Sequence, residues 1–360
     1  MPSRSPGAAA AGKLATLLGA TVCCNPHGEY LSLVSIHGEY APCNADPGAL
    51  HLLMPNAPEE GADPKQWLFL DTETTGLSGG TGTYPFLIGL AWWQGSELMV
   101  EQLFMREFSE DRSMLAAVAE RLKEHPVLVT FNGKSFDWPL LETRFRMTRA
   151  IAPPPLRAHL DFLHPARNLW RLRLGSVRLS QLERHVLGWD RGEDMNSADI
   201  PRIYLDFVRG GNPEPLVPVF LHNQMDLRGL AGLAGRILSI FGDQEKPLED
   251  GLELYGLSRI CERRGQAERA RTTSRSRSAL HFPRRQIVLH AHPWRNWRSG
   301  TGILPALANY GRAYSATPAR DTKPMSNWRS ITNTKPATLN GPWPLPAKPS
   351  PSYVAPINWQ

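Results

Sequence analysis

From residue 67 onward the chain carries two interleaved hydrophobic patterns. WLFLD (67–71) is a continuous apolar run ending on a carboxylate, FLIGLAWW (86–93) is a second run, and ELMVEQLFM (97–105) alternates apolar and polar positions. These predict three strands, and their short connections predict an antiparallel meander. Residues 113–125 then place apolar side chains at helical spacing, followed by a strand at 127–131 and a helix over about 138–147. A short strand is expected at 159–163, and helices at 179–187, 200–208 and 216–240. Three meander strands followed by alternating helices and strands predict an α/β architecture, a mixed sheet covered by helices on both faces. Upstream, residues 1–66 mix small residues with short apolar runs such as 30–36 and end in a Pro- and acid-containing linker at 55–64, so they are expected to be loosely structured.

Charge divides the chain. The 360 residues carry a formal net charge of +6, but residues 271–360 contain thirteen Lys or Arg and one acid, Asp321, which leaves residues 1–270 at −6. The basic balance therefore belongs to the tail and does not make the body a nucleic-acid binder by itself. The tail also lacks helical or strand periodicity and gains Ser, Pro and isolated Trp, which predicts disorder over 271–360. With permitted synonymous codons, a one-base shift of frame turns residues 323–338 into AYEQLAIYYEHKARD, an amphipathic helical pattern. The tail is thus expected to be out-of-frame sequence, with 246–270 as the remnant of a helical-repeat domain.

Cys23, Cys24, Cys43 and Cys261 form no C-x-x-C pair and no disulfide framework, which fits a reducing, cytoplasmic setting. No stretch reaches the ~18 consecutive apolar residues of a membrane span.

Four carboxylates carry the chemistry. Asp71 and Glu73 end the first strand in LFLDTETTGL, and side chains two apart on a strand share a face, so both can converge on one ion. Asp137 follows the strand at 127–131 in FNGKSFDW. Asp226, in HNQMDL, lies in the last long helix four residues after His222, so the two side chains share a helix face. Hard oxygen ligands from three separated segments suit two Mg²⁺ or Mn²⁺ ions of a phosphodiester hydrolase. Taken singly, each has a plainer reading: a solvated turn for Asp71 and Glu73, a helix cap for Asp137, a surface helix position for Asp226.

DTETTGL resembles the first motif, D-x-E-x-T-G, of the DEDD 3′–5′ exonucleases, and NGKSFD resembles their second, N-x-x-x-F-D. With HLDFLHPARNLWR, LSQLERHVLGWDR and HNQMDLRGLAGL in order, the region over about 67–242 is similar to the bacterial YprB-type ribonuclease H-like family. The resemblance implies a three-layer ribonuclease H-like fold over 67–245, with a mixed central sheet flanked by helices. It implies metal ligation by Asp71, Glu73, Asp137 and Asp226, and a role for His222 in orienting or deprotonating water. His222 precedes Asp226 by four positions, where histidine-type members usually place it five before. Thr74, Gly76, Leu77 and Asn132 are expected to contact the terminal nucleotide. The expected partner is DNA or RNA, and relatives with an intact helical-repeat region would have a protein-binding surface as well.

Two rival readings differ in class. A catalytically weak nucleic-acid-binding or scaffold module would keep the fold, but the presence of all four carboxylates favours an enzyme. A nucleotide-dependent oxidoreductase lacks its G-x-G-x-x-G turn between strand and helix.

Overall fold

The computed structural model describes residues 6–38, 47–54, 58–76, 82–149, 151–192, 194–241, 248 and 250–279. All of these fall within one compact unit. The chain begins with helix α1 (Pro6–Leu18), a hairpin of β1 (Thr21–Asn25) and β2 (Gly28–His37), and a short helix α2 (Pro47–Leu53). The meander is β3 (Trp67–Thr74), β4 (Pro85–Gln94) and β5 (Glu97–Phe104). Helix α3 (Asp111–Glu124), β6 (Val127–Thr130), α4 (Asp137–Thr148), β7 (Ala158–Asp161) and α5 (Leu163–Leu174) then alternate. A one-turn α6 (Leu179–Leu182) runs into a π-helical turn, Glu183–Leu187, before α7 (Ile200–Val208) and the long α8 (Val217–Phe241). Helices α9 (Gly251–Arg263) and α10 (Ala267–Ala279) end the described chain.

The seven strands form one mixed sheet in the order β1-β2-β5-β4-β3-β6-β7. The pairs from β1 to β3 are antiparallel, whereas β3, β6 and β7 run parallel, with Trp67 opposite Val127 and Val127 opposite Ala158. Parallel strands bring their C-terminal ends to one edge, where ligands gather in such sheets. The pleat of β3 splits the core in two. Trp67 and Phe69 join α2, α5, α8 and α9 on one face, and Leu68 and Leu70 join α1, α3, α4 and α7 on the other. This is the three-layer α/β architecture expected, with the meander in place.

Four expectations need correction. The described residues of 1–66 are not a loose lead-in: β1 and β2 extend the sheet beyond β5, and Leu14 of α1 and Leu31 of β2 are fully buried. The hairpin's outer positions, such as Val22 and Ile36, are exposed, which diluted its alternation in the sequence. Helix α5 falls where no helix was expected; its buried Leu163, Ala166, Leu169 and Trp170 have helical spacing, but Pro165 masked the pattern while sitting in the first turn, where its missing N–H costs nothing. The described residues of 246–270 are not a separate unit in their packing. Leu254, Leu257, Ile260 and Cys261 of α9 enter the same core as β3 and α8, and a side chain on Gly256 would lie 2.5 Å from the Asn168 carbonyl oxygen, so α9 sits directly on α5. The onset of disorder at 271 is also corrected, since α10 continues to Ala279 with Ala270 and Thr273 buried. The remainder of the tail, from 280, lies outside the described residues. No helix among the described residues is long and apolar enough to cross a membrane.

Candidate active site

The C-terminal end of β3 is the floor of the site. Asp71 and Glu73 point to the α8 face, and a β-bulge between Glu73 and Thr74 marks the point where regular pairing with β4 ends. Opposite Asp71 on β4 stands Gly89, where a side chain would lie 2.3 Å from Asn223 Oδ1 and 2.7 Å from Leu227 Cδ1. The missing side chain lets α8 lie directly on the sheet. That approach brings Asn223 Nδ2 to 2.8 Å from Asp71 Oδ2, to which it donates. Gln102 of β5 donates to Asn223 Oδ1 (2.8 Å) and to the Phe220 carbonyl (2.8 Å), so a buried amide chain orients the Asn223 donor toward Asp71.

Beside Asn223 on α8 lies His222, and about one turn further along lies Asp226. His222 Nε2 is 3.4 Å from Asp226 Oδ2 and 4.0 Å from Glu73 Oε1, and one ligand atom each from Glu73, His222 and Asp226 fall within 4.8 Å of one another. The other ring nitrogen, Nδ1, lies 2.7 Å from Asp194 Oδ1. Asp137 arrives from the opposite layer as the first residue of α4, and Thr72, whose side chain points to that layer, donates to Asp137 Oδ1 at 2.6 Å. Two helix layers therefore meet over one strand end.

The electrostatics of this cluster are those of carboxylates short of counter-charge. Desolvation, with the charges of Asp226, Glu73 and Asp137, holds the Asp71 carboxyl well above the ordinary range. Glu73 is raised by desolvation, then by Asp226, Asp137 and Asp194. Burial lifts Asp137 to about 6 against the opposing Thr72 hydrogen bond. Like charges held together in the absence of a cation produce this pattern, and hard oxygens with one imidazole suit a divalent ion.

The cation that the described protein does supply is Arg191. Its guanidinium pairs with Glu183, reaches Asp194 Oδ2 at 3.2 Å and donates to Asp226 Oδ1 at 2.5 Å. Burial alone would lower its pKa, but the carboxylates of Glu183 and Asp226 reverse the sign and raise it. Asp194 is held below its ordinary value by its bond to His222 and by Arg191, in opposition to desolvation. Gly229 of α8 leaves the space that Glu183 fills, since a side chain there would overlap Glu183 Oε1.

Of the expected site residues, Asp71, Glu73, Asp137, His222 and Asp226 are brought together. Thr74 instead spends its hydroxyl on the Gly76 carbonyl (2.9 Å), which tightens the turn after β3, and Leu77 lies outside the described residues. Asn132 adopts a left-handed backbone (φ 71°) and donates its N–H to Asp161 Oδ1 at 2.8 Å. Asp161 also accepts from Lys134 N (3.1 Å) and Leu163 N (3.0 Å), so it shapes the loop that presents Asp137. Arg191, Asp194, Asn223 and Gln102 were not singled out from the sequence. Asn223 sits beside His222 in HNQMDL and was within reach; Arg191 and Asp194 lie in an irregular segment with no periodic signal.

Residues 68–238 match the model of the RNase_H superfamily. Over 175 residues the chain is 35% identical to the uncharacterized protein YprB of Bacillus subtilis (strain 168), an alignment that takes in 48% of this chain and 42% of YprB. The region from β3 to α8 therefore has a ribonuclease H-like fold and is similar in sequence to YprB. The chain spans less than half the length of that relative. Among solved structures, the family B DNA polymerase from the archaeon Pyrobaculum calidifontis aligns at 16% identity and a TM-score of 0.39, over 55% of this chain and 29% of the polymerase.

Proposed function

We propose that the protein is a divalent-cation-dependent nuclease, a 3′–5′ exonuclease acting on DNA or RNA. The observation that carries this reading is the convergence of Asp71, Glu73, Asp137 and Asp226 with His222 at one end of the sheet, four carboxylates from three segments, of which Asp71, Glu73 and Asp137 have raised proton affinity. Two Mg²⁺ or Mn²⁺ ions held by these oxygens would supply Lewis-acid stabilisation to both the attacking and leaving oxygens of a phosphodiester.

The chain's own residues do the rest. Asp194 on Nδ1 fixes the His222 ring so that Nε2 faces Glu73 and Asp226, where it accepts the proton of the attacking water. Asn223 and Thr72 hold the Asp71 and Asp137 carboxylates in place, and Arg191 does the same for Asp226. Phe136, immediately before Asp137, and Leu221, immediately before His222, are 61% and 53% exposed, and such apolar surfaces beside a reaction site suit a terminal nucleobase. In this reading Thr74, Gly76, Leu77 and Asn132 would contact the terminal nucleotide, and Cys23, Cys24 and Cys261, which form no disulfide, fit a reducing, cytoplasmic setting.

A second reading, a catalytically weak binding module, draws on one observation: Arg191 already takes an oxygen of Asp226. The test is incubation of the full chain with end-labelled single-stranded and duplex DNA and RNA, with Mg²⁺, Mn²⁺ or EDTA. Cation-dependent shortening from the 3′ end supports the exonuclease. Intact substrates under all conditions, with retained binding, support the module.

A further inference from the structure

Two pockets outside the carboxylate cluster flank the first turn of α5. One, of about 320 Å³, has Phe131, Leu163 and Val177 as apolar lining and Asn132, Arg167 and Arg178 as polar lining. The other, of about 330 Å³, is lined by Lys134, Arg157, His159 and His164 over Leu53 and Met54. Both volumes fall in the roughly 300–1,000 Å³ range of ligand clefts. The loop 132–134 separates them, and Asp161 ties that loop to the start of α5.

The charge in these pockets is uncompensated. Among the described residues, the one acid lining either pocket is Asp161, and both its oxygens are occupied by backbone N–H groups. Lys134, Arg167 and Arg178 are exposed, and Arg157 is bonded to a neutral partner, Gln66 Oε1, at 2.9 Å. His159 accepts or donates at Thr130 Oγ1 (2.8 Å), and burial together with the nearby Lys134 charge lowers it to about 4, so at neutral pH the cations are Lys134 and the arginines. In a body of net charge −6, four cations around two clefts without an available carboxylate form a distinct anion-binding feature. The register gives its position: Trp67 pairs with Val127 and Phe69 with Val129, so Phe131 stands at the level of Asp71. The first pocket thus opens one strand away from the carboxylates.

We infer that these two pockets hold successive backbone phosphates of a single nucleic-acid strand, with a base against Phe131, Leu163 and Val177 in the first, and lead the strand's end to the carboxylate cluster. The inference rests on the proposed nuclease reading and adds a strand track to it. Arginine forks suit phosphate oxygens, and an apolar floor beneath them suits a base face.

The experiment uses the full chain and 5′-fluorescein-labelled oligothymidylate and oligouridylate, with anisotropy read in EDTA over a salt series. The variants are Arg167→Gln/Arg178→Gln and Lys134→Gln/Arg157→Gln, with Arg112→Gln/Lys123→Gln on α3 as a charge-matched control. Each pocket variant is expected to bind about tenfold more weakly, with the slope of log affinity against log salt shallower by about 1.4, the loss of two single-strand phosphate contacts. The control should match wild type. Absence of wild-type binding, or pocket variants with unchanged affinity and salt slope, overturns the inference. Hydrolysis of bis(p-nitrophenyl) phosphate with Mn²⁺ involves a substrate too short to occupy the pockets and should be equal in all four proteins. Its absence in wild type counts against the nuclease reading while the binding result still decides the track.

Discussion

Arg191 Nη2 lies 2.5 Å from Asp226 Oδ1, so a buried guanidinium neutralises the carboxylate that α8 contributes to the site. The same side chain pairs with Glu183, whose place against α8 depends on Gly229. Removing one partner of a buried pair leaves the others uncompensated, at a cost of about 3–5 kcal/mol. Arg191→Met should therefore lower the melting temperature in EDTA by several degrees. Saturating Mg²⁺ should then raise the variant's melting temperature more than it raises that of wild type, because Asp226 gains an unopposed charge. Equal Mg²⁺-dependent shifts in the two proteins would remove Arg191 from the site's electrostatics.

The carboxylates also set a pH dependence. Asp71 and Glu73 are raised, and Asp137 moves from 3.8 unfolded to about 6 folded. A raised folded value means that the native state binds more protons, so the stabilising contribution is present below the unfolded value and is lost as pH rises through the folded one. In EDTA the melting temperature should fall between about pH 4 and 6 from this source, and Asp137→Asn should flatten that fall. Mg²⁺ binding has the opposite sign, since protons compete for the same oxygens: calorimetric titration should give weaker binding at pH 5 than at pH 7.5.

Loss of a ligand separates stability from chemistry. Asp71→Ala and Asp137→Ala are expected to abolish hydrolysis while the metal-free variants melt at or above the wild-type temperature, because like-charge repulsion is relieved. His222→Ala should retain measurable turnover, reduced by ~10²- to 10⁴-fold, the usual contribution of general acid-base assistance. Full activity in His222→Ala would leave proton removal to the cations and solvent. Asp194→Asn should show a smaller loss than His222→Ala, since it removes the ring's anchor and not the ring.

Gly89 tests the contact that assembles the site. A methyl group there would lie 2.3 Å from Asn223 Oδ1 and 2.7 Å from Leu227 Cδ1, and α8 would have to move away from β4. Gly89→Ala should cost about 1–3 kcal/mol of stability by overpacking. It should also depress kcat more than KM by displacing Asn223 from Asp71. Wild-type stability and kcat in this variant would mean that α8 tolerates the shift.

The hydrophobic periods were sufficient for β3 to β5, α3, α4, α7 and α8, because each of these elements faces a core whose spacing is written locally. The motifs that carry Asp71, Glu73, Asp137, His222 and Asp226 were likewise legible, at the end of β3, at the start of α4 and within α8. The hairpin β1-β2 and helix α5 were not, since exposed apolar residues such as Val22 and Ile36 and a first-turn Pro165 disturb the local pattern while the sheet and core override it.

Tertiary structure alone decided the rest. The side chain of Thr72 reaches Asp137 because alternate residues of one strand point to different helix layers, and those layers join segments 65 residues apart. Gln102, Asn223 and Asp71 form one hydrogen-bonded chain only because Gly89 lets α8 touch the sheet. Arg191 becomes the site's cation because a non-periodic segment folds back over α8. A sequence pattern records which face of an element is apolar, but the distances between charges depend on how whole layers pack, and those distances set the chemistry of this site.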